Sequence, residues 1–491
     1  MPRRPVLLHF FICAALAGLS ACTSSDEDEI PVAIIADAGN LAETGVRLSD
    51  AGRMVRAATT EGLVAFDAEG RVVPALADRW IVTDDGMSYI FRLREGSDAG
   101  GGEVTGEKAR DALRQTLASL DGTALALDLD GISEVRAMTG RVLEIRLSHP
   151  MPDLLDLLAQ PELALLDRGR GAGEFQVRKM KGGSLLRPVP PEKRALPADP
   201  QWDGSVRSLL LRPMTGEIAA KAFNAKDTDI VLGGTLTDYA AGRTVSGLSQ
   251  RFLRVDPAVG LYGLAITNSD GLLGKAELRE ALAMAIDRDA LATELAIPGW
   301  VPTSRIIPPA AADAAAGIGE RWSNIDMATR RATASQRLAR ASKNGKVPEL
   351  RIAMPDGPGS DTLFTRLHTD FAAVGVTARR VSQTATADLR LVDNVARYAR
   401  ADWFLNQLAC ASGRPLCSTA ADLRAADARA QTDPAKRAEL LSEAEAQLTL
   451  ANTFIPLGNP LRWSLVRDPQ PGFAVNPRGY HPLSPIARRP K

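Results

Sequence analysis

The sequence predicts an α/β protein of more than one lobe, with strands exchanged between the lobes. Three observations lead there. Strand-like and helix-like periods alternate along 491 residues, a length suited to two or three domains. A β-α-β unit is legible between residues 349 and 382. No single break in composition separates the mixed elements into independent halves.

Taken in order, IPVAIIADAG (30–39) is a short apolar run closed by glycine and reads as a buried strand. In the stretch 53–96, Trp80 and Val82 alternate with polar neighbours, as do Tyr89, Phe91 and Leu93. Asp84-Asp85-Gly86 supplies the turn between them, so a β-hairpin with one buried face is expected. Thr105 is placed to cap a helix whose first turn carries Glu107. GRVLEIRLSHP (140–150) puts Leu143, Ile145 and Leu147 on one face of a strand that ends at His149-Pro150. The stretch 168–206 is rich in Gly, Pro and charge and marks a crossing between packing units.

Beyond it, VRSLLLRPM and KDTDIVLGG read as short strands flanking a helix around 216–225. Leu278, Ala281, Leu282 and Ala285 share a helical face over 276–286. Residues 308–348, rich in Ala and Arg, are expected to be mostly helical. ELRIAMP, a helix over 359–374 and VTARRVS make the β-α-β unit. Asp433-Pro434 cap a further helix with Leu441, Ala444 and Leu448 on one face, and the tail is loop-rich with short strands.

The N-terminus has its own grammar. Arg3 and Arg4 precede an apolar run from Pro5 to Ala21 that is short for a bilayer span, as in a secretory signal. After Cys22, TSSDEDE reads as a polar tether. Leu19-Ser20-Ala21-Cys22 resembles the lipobox of bacterial lipoproteins, which implies cleavage before Cys22 and its acylation; an ordinary cleaved signal with a chance cysteine is the alternative. Thr23 after the cysteine resembles the pattern for outer-membrane rather than inner-membrane sorting.

The totals exclude some classes. Lys+Arg and Asp+Glu both number 59, so there is no basic excess to neutralise nucleic-acid phosphates. No second long apolar run follows the signal. Cys410 and Cys417, with six residues between them, are a natural disulfide in an exported chain, two reduced thiols being the alternative. Four histidines, one inside the signal, argue against a His-rich metal centre, and no cofactor is expected. GGEVTG has the glycine spacing of a phosphate loop, but Glu107 stands where that loop needs Lys. There is no G-x-S-x-G and no H-E-x-x-H, and His149, His368 and His481 have no local catalytic partners, so an enzyme is the weaker class, scattered active-site residues being the way it could still arise.

Four segments together resemble one family, the extracytoplasmic solute-binding proteins of ABC transporters of the dipeptide/oligopeptide/nickel type. TEGLVAFDAEGRVVPALADRWIVTDDGMSYIFRLREG is similar to its signature through Glu61-Gly62-Leu63, Pro74-Ala75-Leu76-Ala77, Trp80, Asp85-Gly86, Phe91 and Leu93-Arg94. GEVTGEKARDAL follows as the next helix should. LREALAMAIDRDAL matches through Arg279, Ala281, Ala285, Ile286, Asp287 and Arg288, and DPAKRAELLSEAEAQLTLANTFIPL resembles the last long helix and strand return. On physical grounds these residues read as structural, with Asp287 capping the helix that follows it rather than touching ligand.

The resemblance implies a bilobal, type II periplasmic-binding-protein-like fold of the large class, with an extra domain inserted in the first lobe and ligand held in the cleft. Mapped here it implies a signal at 1–21, a lipidated tether at 22–29, lobe 1 at 30–264 with an insertion at about 63–169, lobe 2 at 265–454, and a return to lobe 1 over 455–491. It further implies a monomer, lipid-anchored on the periplasmic side of a bacterial membrane, that hands a peptide or similar solute to ABC permease and ATPase subunits. A receptor or scaffold without transport is the alternative, and an exported hydrolase a third. Peptide-binding members carry a Trp-x-Ala-Asp-Tyr-type segment that holds the peptide and its ammonium. The corresponding region is taken as ARADWFLNQLACASGRPLCSTAADL (399–423), where the order differs. The cleft candidates are therefore Asp402, Trp403, Asn406, Arg462 and Trp463.

Overall fold

The structure, a computed structural model, describes residues 29–96, 102–165, 171–244, 251–311, 313, 319–341, 349–468 and 470–489. Cys22, the signal and most of the tether lie outside these residues.

Two mixed sheets organise the chain. The first contains β1 (Glu29–Ile35), β8 (Phe175–Met180), β9 (Gly183–Pro188), β10 (Ser208–Met214), β11 (Ile230–Thr235), β12 (Leu253–Asp256) and β18 (Arg462–Val466), in the order β12-β18-β11-β1-β10-β9-β8. β1 is parallel to both neighbours. Ile30, Val32, Ala33 and Ile34 are all buried, because a parallel strand at the centre of a sheet is covered on both faces. The second sheet contains β13 (Gly260–Ile266), β14 (Leu350–Ala353), β15 (Ala378–Val381), β16 (Leu389–Val395) and β17 (Phe454–Gly458), ordered β15-β14-β16-β13-β17. The helix Pro358–Ala372 connects β14 to its parallel partner β15, the β-α-β unit legible in the sequence.

The chain crosses from the first sheet to the second between Asp256 and Gly260 and returns between Gly458 and Arg462. The expected boundaries at 264/265 and 454/455 instead fall inside β13 and β17. Both strands are unbroken buried runs, GLYGLAI and FIPLG, while the breaks carry Pro257 and Asn459-Pro460.

Two smaller sheets lie in the region between β1 and β8: β2 (Val64–Phe66) with β3 (Val72–Pro74), and β4 (Ala77–Val82), β5 (Ser88–Leu93), β6 (Ile132–Ala137) and β7 (Val142–Leu147) in the order β4-β5-β7-β6. Thr105 caps the helix Gly106–Ser119 by accepting from Lys108 N, and Gly86 makes the β4–β5 turn at φ +69°. Tyr89, Phe91, Leu93, Leu143, Ile145 and Leu147 are buried, but Trp80 is only half-buried and Val82 is exposed, so the expected buried face does not run the length of β4.

In the second lobe, the helices Ala276–Ala285, Arg288–Leu295, Met327–Ala341 and Pro358–Ala372 cover the sheet. Asp287 accepts from Ala290 N as the cap of the second of these. Arg279 donates to Ala451 O and Leu273 O, and Arg288 to Pro456 O, so these guanidiniums tie backbone segments together. The expected helix over 308–348 is confined, among the described residues, to Met327–Ala341; 308–311 and 319–326 are turns and loops. Pro308-Pro309 and Gly319 outweigh an Ala-rich composition there.

Cys410 and Cys417 are joined by a disulfide with Cα atoms 5.0 Å apart, closing a short loop after the helix Ala401–Leu408. Replacing both by Ser should lower stability by about 2–3 kcal/mol on the chain-entropy account. The shift of the denaturation midpoint checks this, and an unchanged midpoint would show that the bond only decorates an already fixed turn.

Candidate functional site

A missed helix begins the site. Ser49 accepts from Gly52 N and starts the helix Asp50–Thr59, whose Ala51, Met54, Val55 and Ala58 turn inward. The Ser-Asp start and the 3–4 spacing were the available signal. On its outer side the helix presents Asp50 and Arg53 to a cavity of about 230 Å³ between the two large sheets. Arg47 and Leu48 precede it, Thr123 to Leu125 and Glu162 close one side, and the end of β16 with Asp393 and Arg397 closes the other.

Arg462 enters from β18. It donates to Asp393 Oδ1 at 2.7 Å and lies 3.4 Å from Asp50 Oδ2, while Arg53 pairs with Asp50 Oδ1 at 2.5 Å. The result is an alternating chain Arg53–Asp50–Arg462–Asp393 that spans both sheets. Burial works to raise the Asp50 carboxyl, but Arg53 and Arg462 outweigh it and hold it down at about 2. For Asp393 the balance goes the other way: burial pushes its carboxyl up against the pull of Arg462. Glu162 receives Arg397 Nη2 at 3.1 Å.

The expected cleft residues separate by geometry. Side chains alternate across a strand, so adjacent Arg462 and Trp463 face opposite sides. Trp463 is core: its Nε1 donates to Thr235 O at 2.8 Å, and its ring lies over Gly234, where a Cβ would come within 2.3 Å of ring carbon. On the helix Ala401–Leu408, residues four apart share a face. Trp403 and Gln407 line the cavity. Asp402 and Asn406 point elsewhere, Asp402 to Arg437 and Asn406 to Asp128 Oδ1 at 2.9 Å. Of the five expected residues, Trp403 and Arg462 therefore line the cavity and Asp402, Asn406 and Trp463 do not.

Beside the cavity the lobes are clasped. Asp128 accepts from Tyr398 Oη and Asn406 Nδ2, both at 2.9 Å, and burial pushes its carboxyl up to about 6. Arg400 reaches Asp153 at 3.2 Å, and Arg429 reaches Asp130 at 3.4 Å. The site is thus enclosed by both lobes. Trp403 Nε1, Gln407 Nε2, Arg53 Nε and Arg397 Nε are buried without a hydrogen-bond partner among the described residues. Such a set can receive the oxygens of a small solute. No cluster of three or more metal-ligating side chains occurs among the described residues, and no helix among them is long and apolar enough to cross a membrane.

Comparison with known proteins gives a consistent set of likenesses. Residues 71–414 match the profile described as bacterial extracellular solute-binding proteins, family 5 Middle. The chain is 24% identical to the probable di/tripeptide-binding protein 5 of Pseudomonas aeruginosa over 485 residues, covering 87% of this chain and 89% of that one. In structure it is similar to Haemophilus influenzae OppA in complex with RPPGFSPFR, with a TM-score of 0.81, 18% identity, and coverage of 94% and 99% of the two chains. The murein tripeptide binding protein MppA of Escherichia coli also gives a TM-score of 0.81, at 19% identity and the same coverage, 94% and 99%.

Proposed function

The chain belongs to the bacterial extracellular solute-binding proteins of family 5, and on that premise we propose that it captures a peptide or similar small solute between its lobes for an ABC importer. The observation that carries the reading is a cavity lined from both lobes, with buried donors that lack acceptors among the described residues. The names of its relatives, a di/tripeptide-binding protein and oligopeptide-binding proteins, support peptide as the solute class. A periplasmic location follows from the same kinship, with ABC permease and ATPase subunits as partners and the protein acting as a binder rather than an enzyme. Acylation of Cys22 would hold it near its permease; the several chains of a lipoprotein anchor durably where one would not.

Micromolar affinity, about −8 kcal/mol, is ample to shift an open–closed balance. A solute at a hundredfold its Kd should add about 2.7 kcal/mol of apparent stability. A thermal-shift screen of peptides and metabolites, followed by small-angle scattering, tests this. The expected result is a raised Tm and a smaller radius of gyration with a hit. No shift with any solute, and one fixed shape, would favour a scaffold over a transport component. Cys22→Ala should move the protein from the detergent phase to the aqueous phase; unchanged partitioning would sink the lipid anchor.

A further inference from the structure

The charge pattern of the interlobe cavity selects among small solutes. Its acids are already engaged: Asp50 by Arg53 and Arg462, Asp393 by Arg462, and Glu162 by Arg397. Arg47 lines the same cavity, and among the described residues its guanidinium makes one long contact, to Gly122 O at 3.5 Å. Four guanidiniums thus face three carboxylates there. Behind them Arg56, buried and without an ion pair among the described residues, feels Glu162 as its opposite charge.

The unpartnered groups point the same way. Trp403 is 1% exposed and Gln407 8%, both line the cavity, and the Nε1 of one and Nε2 of the other have no acceptor among the described residues. Buried donors left in this state are costly, and a ligand oxygen relieves them. Glu162 Oε2, a buried acceptor without a hydrogen-bond partner among the described residues, sits in the field of Arg53, Arg56 and Arg397. A ligand ammonium arriving there would meet guanidiniums already paired with every carboxylate it could use.

We propose that this cavity takes a compact carboxylate without a free ammonium, such as an N-acylated short peptide, its carboxylate beside Arg397 and its carbonyl oxygens on Trp403 and Gln407. The proposal rests on the solute-capture reading above and narrows it to one chemical class. Isothermal titration of the dialysed protein with N-acetyl-dialanine, dialanine and N-acetyl-dialanine amide tests it. N-acetyl-dialanine is expected to bind at least tenfold more tightly than the other two. Arg397→Gln should erase its advantage over the amide while leaving the amide's own affinity little changed. Trp403→Phe, which keeps a ring and removes the donor, should weaken both acetylated probes about five- to tenfold. Tighter or equal binding of dialanine, or of the amide, overturns the proposal and leaves solute capture standing. If none of the three binds, the first hit from a wider solute screen decides: an ammonium-free carboxylate supports the proposal, and any other solute overturns it. No hit at all removes both readings.

Discussion

Arg462→Leu should leave a protein whose lobes no longer stay together, visible as a larger radius of gyration and a Tm lower by several degrees. Arg462 is 5% exposed and sits on the first sheet, while its partner Asp393 comes from β16 of the second. Breaking a buried pair by removing one member costs about 3–5 kcal/mol, because the other charge is left desolvated. Here the lower end applies, since Asp50 and Asp393 both open onto the cavity and water can reach them. The Asp393 carboxyl, already pushed up by burial, would then lose the cation that opposes that push. Opening the lobes hydrates both acids, so the loss should appear as separation before unfolding. Scattering and melting curves for Arg462→Leu and Asp393→Asn read this directly. Unchanged dimensions and a Tm within one degree of the parent would show that the clasp around Asp128, rather than this pair, holds the lobes.

Asp370→Ala is expected to be the most damaging single change in the second lobe. Asp370 is fully buried, accepts Asp287 N at 2.9 Å, and pairs with Arg331 at 2.5 Å and Arg366 at 2.8 Å. One carboxylate therefore ties the helices Arg288–Leu295, Met327–Ala341 and Pro358–Ala372 to one another. Its removal leaves two guanidiniums and a backbone donor with reduced satisfaction, about 3–5 kcal/mol by the buried-pair estimate. Arg366 keeps Glu294 at 3.0 Å, which limits the damage on that side. Asp370→Asn retains an acceptor and should lose less. Urea midpoints of the two variants check the order, and equal, small losses for both would mean that the arginines find water instead.

Local rules carried the sequence far. The caps at Thr105, Asp287 and Asp433, the turn at Gly86, and the alternation in β5 and β7 depend on neighbours within a few residues, and each stands in the structure as read. The same rules, applied at the site, would have separated Arg462 from Trp463, because adjacent residues on a strand point to opposite faces. The helix Asp50–Thr59 was legible too, from its Ser49 cap and apolar spacing. Composition misled where it was used instead of periodicity, as over 308–311 and 319–326.

The sequence by itself determined the types of the elements read from it, the disulfide's short span and the α/β character of lobes that exchange strands. Those follow from backbone sterics, capping and burial periods that act over one turn or one pleat. The cavity was decided only by tertiary structure. Arg53, Glu162, Arg397 and Arg462 come from distant parts of the chain, and each alone is an ordinary charged residue. They meet because the chain crosses twice between two sheets and closes one lobe against the other, so their partners, and the donors left without any, are set by long-range packing that no local pattern records.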